Sequence, residues 1–495
     1  MTKLIEQWIG GAPCSARGSR RAPVFNPASG EQTGEVVFAT PAEVDEAVKQ
    51  AVGAARGWRE TPLARRAEVL FRFRELLNAH TDELAAVITA EQGKVISDAR
   101  GEITRGLESV EFAAGVPQLL KGQFSEQVSA GIDVYSIRQP LGVVAGITPF
   151  NFPVMVPLWM CANAIACGNA FVLKPSERDP SAALYLARLW SEAGLPDGVF
   201  TVLQGDKEAV EALIEHPDVA AISFVGSTPI ARTIYAKGTA AGKRVQALGG
   251  AKNHMVVMPD ADIELAADGA IAAAYGAAGE RCMAVSVLLA VGDVAEPLIE
   301  AIRARIGTLV VGDGADEATD VGPLISAAHR DRVRDYITAG EQEGATLVVD
   351  GRRADRDGGY FVDPTLIDRV TPEMTIYTDE IFGPVLGVVR VGSLDEAVRL
   401  INAHEFGNGT AIFTRDGGVT RRFQFEVEIG MVGVNVPVPV PVGYYSFGGW
   451  KASLFGDAHM YGPEGINFFT RGKVVTSRWA ASPEVTDPFT PRATA

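Results

Sequence analysis

The sequence predicts an α/β protein made of two successive units in which parallel strands are covered by helices. Short apolar runs alternate with helical patterns from about residue 141 to beyond residue 385, as is typical of parallel sheets. The chain of 495 residues also exceeds the length at which one hydrophobic core keeps growing. Between the two series of strands lies Gly249-Gly250-Ala251-Lys252-Asn253, a flexible junction that we interpret as the domain boundary.

Charge and cysteine content limit the possible partners. The formal net charge of −16 argues against a nucleic acid or an anionic membrane, since both are bound through lysine and arginine. The four cysteines include no CxxC pair, so neither a disulfide framework nor a metal site is predicted. Neither a secretory signal nor an uninterrupted apolar span is visible, and we expect a reducing, cytoplasmic location.

The N-terminal part is predicted to be mainly helical. A helix begins at Thr40-Pro41-Ala42-Glu43, where Thr40 can cap, Pro41 fits the first turn and Glu43 stands at the capping-box position. Further helical patterns cover 62–92 and 97–114. Arg105 lies near the apolar face of the last helix, and the pattern alone favours a solvated arginine there.

A protruding arm is predicted next. Residues 121–140 lose the helical period, and 132–137 alternate between apolar and polar side chains, which indicates a hairpin of the kind that often serves oligomers. Alternation at 465–477 predicts a closing strand, and 481–495 has the composition of a loose tail.

Three loops follow strands of the first α/β unit. They contain Asn151 after the strand 141–147, Lys174 with Glu177 after 170–173, and Gly226-Ser227 after 220–225. Ligands of open α/β sheets gather at such carboxyl ends. Gly226-Ser227 can offer backbone amides to a pyrophosphate. A carboxylate at Glu177 would favour a ribose with two free hydroxyls, although an ordinary surface ion pair with Lys174 is equally compatible with the sequence.

The second unit contains the candidate nucleophile Cys282 in the small-residue stretch 276–286. A neighbouring cation such as Arg281 could lower the pKa of its thiol and favour the reactive thiolate. The alternative is that Cys282 is only a small buried apolar residue. Further along, Glu380 and Phe382 enter a Gly-Pro turn, and the Pro-Val repeat at 437–441 predicts an extended lining segment.

Asn151, Gly226-Ser227, Cys282 and Glu380-Ile381-Phe382 together resemble the aldehyde dehydrogenase superfamily in order and separation. The resemblance extends over nearly the whole chain and implies an aldehyde dehydrogenase-like fold. It assigns 1–120 and 141–250 to a Rossmann-type NAD-binding domain and 251–447 to an α/β catalytic domain. It assigns 121–140 and 448–495 to a β oligomerisation arm, and implies a homo-oligomer, with a tetramer favoured and a dimer left open.

The same resemblance implies roles for individual residues. Cys282 would attack the aldehyde, while the Asn151 side-chain amide and the Cys282 backbone amide would hold the oxyanion, a contribution worth a few kcal/mol per donor. NAD would accept the hydride. The implied cofactor-binding residues are Thr148 and Phe150 after the first strand, Lys174 and Glu177 at the adenine ribose, Gly226 and Ser227 at the pyrophosphate, Glu380 at the nicotinamide ribose and Phe382 at the nicotinamide.

One departure from the hydrolytic members of the superfamily bears on the reaction. Those enzymes carry a glutamate that activates water just before the Gly-Gly pair, where this chain has Ala247. Without a positioned base, attack by water should slow by about 10²–10⁴-fold. A thiol such as coenzyme A (CoA) would then be the acceptor. A base elsewhere, Glu380 or Glu280, would restore the hydrolytic alternative.

Four stretches, 149–153, 174–180, 279–283 and 447–451, resemble the methylmalonate-semialdehyde dehydrogenase family in particular. That resemblance implies NAD-dependent, CoA-acylating oxidation of malonate or methylmalonate semialdehyde, with decarboxylation to acetyl-CoA or propionyl-CoA. It implies that Arg105 and Arg281 bind the substrate carboxylate, which reverses the solvated interpretation of Arg105. Valine, inositol and β-alanine breakdown all remain open as pathways. A non-catalytic protein of the same fold is the remaining alternative, and the presence of Cys282 with Asn151 argues against it.

Overall fold

The computed structural model describes residues 3–15, 17–353 and 358–479, so the predicted loose tail lies outside the described residues. The strands are β1 (Lys3–Ile5), β2 (Gln7–Ile9), β3 (Ala12–Cys14), β4 (Arg21–Phe25), β5 (Gln32–Val37), β6 (Phe124–Ser129), β7 (Ile132–Pro140), β8 (Val143–Ile147), β9 (Ala170–Lys174), β10 (Phe200–Val202), β11 (Val219–Val225), β12 (Arg244–Leu248), β13 (Asn253–Val257), β14 (Val285–Val291), β15 (Thr346–Val349), β16 (Thr365–Asp368), β17 (Val385–Val391), β18 (Phe406–Gly407), β19 (Gly409–Phe413), β20 (Met431–Val434), β21 (Trp450–Lys451), β22 (Leu454–Phe455) and β23 (Thr470–Arg478).

The helices are α1 (Pro41–Glu60), α2 (Leu63–Ala79), α3 (Thr81–Gln92), α4 (Ile96–Ala114), α5 (Val116–Leu119), α6 (Met155–Ala166), α7 (Ser181–Glu192), α8 (Lys207–Glu215), α9 (Thr228–Ala240), α10 (Ile263–Tyr275), α11 (Ala295–Ile306), α12 (Ala327–Gln342), α13 (Thr375–Thr378), α14 (Leu394–Ala403), α15 (Gly417–Glu426) and α16 (Gly462–Phe468). The predicted capping box at the start of α1 is confirmed, because the Thr40 side chain accepts from the Glu43 amide and the Glu43 carboxylate accepts from the Thr40 amide.

The first α/β unit is built on a sheet of strand order β22-β12-β11-β8-β9-β10-β2-β3. Strands β12, β11, β8, β9 and β10 run parallel, and antiparallel strands lie at both edges. Apolar cores cover both faces of this sheet, one of them formed largely by α2, α4, α6 and α7 and the other partly by α1, α8 and α9. The parallel arrangement brings the loops after β8, β9, β11 and β12 to one edge of the sheet.

The second unit is built on a sheet of order β15-β16-β17-β14-β13-β19-β20, which is parallel apart from the β15–β16 pair. It has its own buried apolar core. The chain passes from the first sheet to the second between Leu248 and Asn253, the segment that contains the glycine-rich junction.

The arm is a three-stranded sheet of order β23-β7-β6. Its long pairing joins Thr470–Arg478 to Ile132–Pro140 in antiparallel register, and β6 is exposed throughout. The structure differs from expectation in two places. First, residues 462–468 form α16 before the closing strand begins. Second, β21 and β22 join the body of the protein rather than the arm. The apolar pair Leu454–Phe455 of β22 completes the edge of the first sheet next to β12.

Within the residues that the structure describes, no helix is both long and apolar enough to cross a membrane.

Candidate active site

A cavity of about 630 Å³ lies between the two sheets and receives the loops predicted to carry the chemistry. Of the predicted site residues it brings together all but Arg105 and Arg281. Its lining includes Thr148, Phe150, Asn151, Lys174, Glu177, Gly226, Ser227, Cys282, Glu380 and Phe382. Among the described ranges, no group of three or more His, Cys, Asp and Glu side chains could hold a metal ion.

Cys282 is held in place through its backbone. It follows a 3-10 helix, Gly276–Gly279, in which Ala277 and Ala278 adopt left-handed conformations with φ of 49° and 53°. The Cys282 carbonyl accepts hydrogen bonds from the side-chain amides of Asn253, at 2.9 Å, and Asn408, at 3.1 Å. These two amides come from strands or loops of the second sheet and fix the thiol at the edge of the cavity.

Arg281 lowers the pKa of the Cys282 thiol, as expected, but its effect is outweighed. Burial, with a further contribution from the Glu380 carboxylate, raises the pKa of Cys282 to about 12. The opposing effect of Arg281 on this pKa is weaker than either. Its guanidinium is instead paired with Asp98, at 2.7 Å between Nη2 and Oδ1. The Cys282 thiol is therefore expected to be protonated at neutral pH.

This thiol should show an unusual alkylation profile. In a Cys14→Ser background, which removes the exposed cysteine, the rate of reaction with iodoacetamide should rise about ten-fold per pH unit from about pH 7 to about pH 10, because only the thiolate reacts. An ordinary cysteine would level off near its usual pKa of about 8.5. Stopped-flow alkylation with mass-spectrometric assignment measures this profile, and a plateau below about pH 9 would contradict it.

A buried ion pair holds the loop that carries Asn151. Lys94 Nζ lies 2.7 Å from Glu102 Oε2 and donates to the Asn151 carbonyl at 2.6 Å. The other Glu102 oxygen accepts from the backbone amides of Val154 and Met155 at 2.7 and 3.0 Å. Both side chains of the pair are at most 1% exposed. Since one ion pair makes contacts on both sides of the turn, it fixes where the Asn151 amide enters the cavity.

Lys94→Met should slow formation of the first covalent intermediate by about 10–100-fold, because a displaced oxyanion donor loses much of its contribution. It should also lower the Tm, since it leaves the Glu102 carboxylate buried and unpaired. The double variant Lys94→Met/Glu102→Gln removes that charge while keeping an oxygen acceptor for the 154 and 155 amides. We expect the double variant to recover its Tm, measured by calorimetry, but not its pre-steady-state rate. Full recovery of both the Tm and the rate would contradict a role of Lys94 in positioning Asn151.

The strand β12 presents Leu248, not Ala247, towards the nucleophile. Leu248 lines a small apolar pocket beside Cys282 and Asn151, together with Trp159 and Phe447. Ala247 is fully buried on the opposite face, within the core under α1, α8 and α9. The sequence analysis therefore named the wrong side chain of β12, Ala247 in place of Leu248. The conclusion that β12 supplies no base to the cavity is unchanged, because leucine cannot act as a base either.

Of the two carboxylates expected as alternative bases, only one lines the cavity. Glu380 Oε1 accepts from the Ala251 amide at 2.9 Å, and burial raises the pKa of Glu380 to about 6. Glu280 is fully buried and is turned away from the cavity lining, accepting from the Gln92 side chain at 3.0 Å and the Ile325 amide at 3.1 Å. Burial raises the pKa of Glu280 to about 8, so this group is mainly protonated near neutrality.

The other end of the cavity has the features of a dinucleotide site. Lys174 and Glu177 form an ion pair of 3.2 Å at its wall. Ser227 stands at the N-terminus of α9 and makes no side-chain cap, so the N–H groups of Thr228 and Ile230 remain available to an anion, while Pro229 between them has no N–H. A Cβ at Gly226 would come within 2.5 Å of the Phe224 ring, so only glycine fits beside these amides. The residues present therefore fit a dinucleotide.

Arg105 and Arg281 are both paired with carboxylates outside the cavity. Arg105 is half-buried, and its Nη1 lies 3.0 Å from Glu108 Oε1. It borders a shallow cleft with Trp159, which also lines the pocket beside Cys282. Trp159 therefore lies between Arg105 and the pocket of Cys282, whereas the Arg281 guanidinium is directed at Asp98.

Sequence reasoning missed several residues at the site. Arg178, His329 and Arg332 line the cavity mouth, and the sequence carried no signal for the last two because they lie on a polar helix, α12. His329 Nε2 donates to the Phe382 carbonyl at 2.7 Å, which holds the turn of Phe382, a residue with φ of 59°. Arg178 stands inside a stretch already singled out for Lys174 and Glu177 and could have been included.

Comparison with known proteins gives consistent matches. Residues 14–475 match the aldehyde dehydrogenase family. The chain is 57% identical over 468 residues to malonate-semialdehyde dehydrogenase of Pseudomonas aeruginosa, covering 94% of each. It superimposes with a TM-score of 0.96 on the crystal structure of methylmalonate-semialdehyde dehydrogenase from Oceanimonas doudoroffii, at 55% identity and covering 97% of this chain and 99% of that one. A Sinorhizobium meliloti protein assigned the same activity and crystallised with NAD also gives a TM-score of 0.96, at 51% identity and covering 98% and 100%.

Proposed function

Because the chain belongs to the aldehyde dehydrogenase family, we propose that it oxidises malonate semialdehyde or methylmalonate semialdehyde with NAD and passes the acyl group to CoA. The names of the similar proteins support the substrate class. The observation that carries the proposal is that Cys282 and Asn151 share one cavity while β12 presents Leu248 there rather than a carboxylate.

NAD is the cofactor that this cavity would hold. Lys174 and Glu177 would bind the adenine ribose, Gly226 and Ser227 the pyrophosphate, and Glu380 the nicotinamide ribose, with Thr148, Phe150 and Phe382 as further lining. The carboxylate of Glu177 favours two free ribose hydroxyls over a 2′-phosphate. When bound, NAD supplies the hydride acceptor.

The proposed reaction begins when the Cys282 thiol gives up its proton to solvent and its sulfur forms a bond to the aldehyde carbon, whose C=O π bond opens to an oxyanion. The Asn151 amide and the Cys282 backbone amide would donate to the resulting oxyanion. Loss of hydride leaves a thioester on Cys282. The bond to the β-carboxylate then breaks, CO2 leaves, and its electron pair forms an enolate that the same donors stabilise before it takes up a proton. The CoA thiol finally attacks the thioester carbonyl and releases Cys282.

The decisive experiment follows NADH absorbance with enzyme and malonate semialdehyde at comparable concentrations. With CoA withheld, we expect a burst near one NADH per active site and then a stop. Addition of CoA should start steady turnover. This pattern would establish an acyl-enzyme that waits for a thiol, and the released acetyl-CoA can be identified by mass spectrometry.

A hydrolytic semialdehyde dehydrogenase is the second candidate, because Glu380 lines the cavity together with Cys282. Glu380 has a pKa raised by burial to about 6, a value suited to a general base near neutrality. If Glu380 activated water, the same experiment would show steady NADH formation without CoA and a free carboxylic acid as product. Glu380→Gln would then remove that turnover.

We propose that Arg105 binds the substrate carboxylate after leaving Glu108, and that Arg281 contributes only if its pair with Asp98 opens. Arg105→Leu should raise the KM for malonate semialdehyde by about ten-fold or more while sparing propionaldehyde, because a charge-assisted hydrogen bond is lost. Arg100→Leu, on the same helix and paired with Asp82, is the matched control. Equal effects of Arg105→Leu on both aldehydes would remove Arg105 from the site.

The oligomeric state and location are also proposals. The arm formed by β6, β7 and β23 supports a homo-oligomer, because the whole of β6 is exposed in the single chain. The preference for a tetramer comes from the family resemblance. All four cysteines are free, as expected in a reducing compartment such as the cytoplasm.

A further inference from the structure

The ion pair of Arg105 and Glu108 lies in the cleft that Trp159 separates from the nucleophile. The two residues are one turn apart on α4, and Arg105 Nη1 donates to both carboxylate oxygens of Glu108, at 3.0 and 3.2 Å. The two side chains are 41% and 31% exposed. Ser109 lines the same cleft, and its buried hydroxyl has no hydrogen-bond partner among the residues that the structure describes. The cleft therefore offers a second polar group to an anion that reaches Arg105.

Aromatic rings connect this cleft with the pocket of Cys282. Trp159 lines both of them. Its ring centroid lies 5.0 Å from that of Tyr461, which also lines the cleft, and 4.9 Å from that of Phe447, which lines the pocket. Burial raises the pKa of Tyr461, and the charges of the ion pair and of Cys282 also act on this pKa. The ion pair and the nucleophile therefore lie on two sides of one aromatic wall.

We propose that Glu108 takes Arg105 back from the substrate carboxylate once the thioester has formed, and in this way permits decarboxylation. The inference rests on the proposed function, in which Arg105 binds that carboxylate. Glu108 is a positioning residue in this scheme, because it acts on the reaction through Arg105 and touches no reacting atom.

The movement of charge during decarboxylation gives the physical reason. The bond between the carboxylate carbon and the α-carbon breaks, its electron pair forms the enolate, CO2 leaves without charge, and the α-carbon then takes a proton from water. A guanidinium held on the carboxylate stabilises the negative charge where it starts and not where it ends, so it raises the barrier. Arg105 must therefore leave the carboxylate before this step. Glu108 is an acceptor within its reach, so the guanidinium stays hydrogen-bonded as it leaves.

The same competition acts when the substrate binds. A substrate carboxylate must displace Glu108 to reach Arg105, so Glu108 weakens the binding of carboxylated aldehydes. An aldehyde without a carboxylate leaves the ion pair intact. Glu108→Gln should therefore lower the KM for malonate semialdehyde by about ten-fold and leave the KM for propionaldehyde unchanged.

The test is a single turnover without CoA, with malonate semialdehyde that carries a radioactive label in its carboxyl group. NADH absorbance reports formation of the thioester, and labelled CO2 collected after an acid quench reports decarboxylation. In the wild type, CO2 release should follow the NADH burst closely. In Glu108→Gln, CO2 release should be slower by about ten-fold, because Arg105 stays on the carboxylate. Early addition of CoA should then trap malonyl-CoA in place of acetyl-CoA.

Two comparisons control the experiment. Glu111→Gln removes a carboxylate one turn further along α4, where it pairs with Arg74 and does not line the cleft, and this variant should behave as the wild type. In an Arg105→Leu background, Glu108→Gln should have no effect on the rate of CO2 release, because Glu108 acts only through Arg105.

Two results would overturn the inference while leaving CoA-dependent turnover intact. One is CO2 release from Glu108→Gln at the wild-type rate, and the other is slowed release by this change even when Arg105 has been replaced. Steady turnover of the wild type without CoA would instead overturn the proposed function, and the inference with it.

Discussion

Leu248→Glu is expected to produce an enzyme that turns over without CoA. Leu248 is the side chain that β12 presents to the pocket of Cys282, so a carboxylate there would face the thioester. A general base that activates water contributes about 10²–10⁴-fold, and we expect CoA-independent NADH formation to increase by this factor. The apolar surroundings of Trp159 and Phe447 should raise the pKa of the new carboxyl towards neutrality. Hydrolysis should therefore increase as pH rises through that pKa, because only the ionised form accepts a proton.

Two neighbouring substitutions control this prediction. Leu248→Gln has the shape of the glutamate variant without its base and should remain dependent on CoA. Ala247→Glu introduces the same carboxyl one residue earlier, where it would enter the apolar core, so it should lower the Tm without any gain in hydrolysis. Steady-state NADH formation and product analysis distinguish the three variants. Similar hydrolysis by Leu248→Glu and Leu248→Gln would show that position 248 does not control water attack.

Cys282→Ala is expected to abolish NADH formation, by more than about 10⁴-fold, because removal of a nucleophile eliminates the covalent pathway. Neither the burst without CoA nor the turnover with it should remain. NAD binding should persist, since the lining at Lys174, Glu177 and Gly226 is untouched. Stopped-flow absorbance measures the burst, and quenching of intrinsic fluorescence by NAD measures binding.

Cys14→Ala is the control for this second prediction. Cys14 is exposed on β3, far along the chain from the cavity lining, and its removal should leave burst and turnover unchanged. A burst that survives in Cys282→Ala would assign the thioester to another side chain and would require a different mechanism.

The general arrangement of the site could be predicted because a simple topological rule applies. Strand-to-helix alternation implies a parallel sheet, and the loops after its strands must then share one edge. Asn151, Lys174 and Gly226 follow three such strands and are therefore expected in one place, and the cavity contains all three. The joint pattern with Cys282 and Glu380 extends this expectation across the cleft.

The details that failed depend on information that local patterns do not contain. Strand β12 is buried on both faces, so its sequence has no polar–apolar alternation to show which of Ala247 and Leu248 faces the cavity. Arg281 was expected beside the thiol, yet its direction is set by Asp98, a residue 183 positions earlier. The Lys94 contact with the Asn151 carbonyl also joins distant parts of the chain, and such pairings become visible only once the helices are packed.

The raised pKa of the Cys282 thiol has a further consequence for how long the protein stays active between substrates. Oxidation by peroxide proceeds through the thiolate, so a thiol whose pKa is raised to about 12 is oxidised slowly at neutral pH. Cys161 and Cys167 are buried and Cys282 is partly buried, which leaves Cys14 as the exposed cysteine of the chain. Mild oxidative stress would therefore damage a surface strand first and leave the sulfur of Cys282, the proposed nucleophile, in its reduced form.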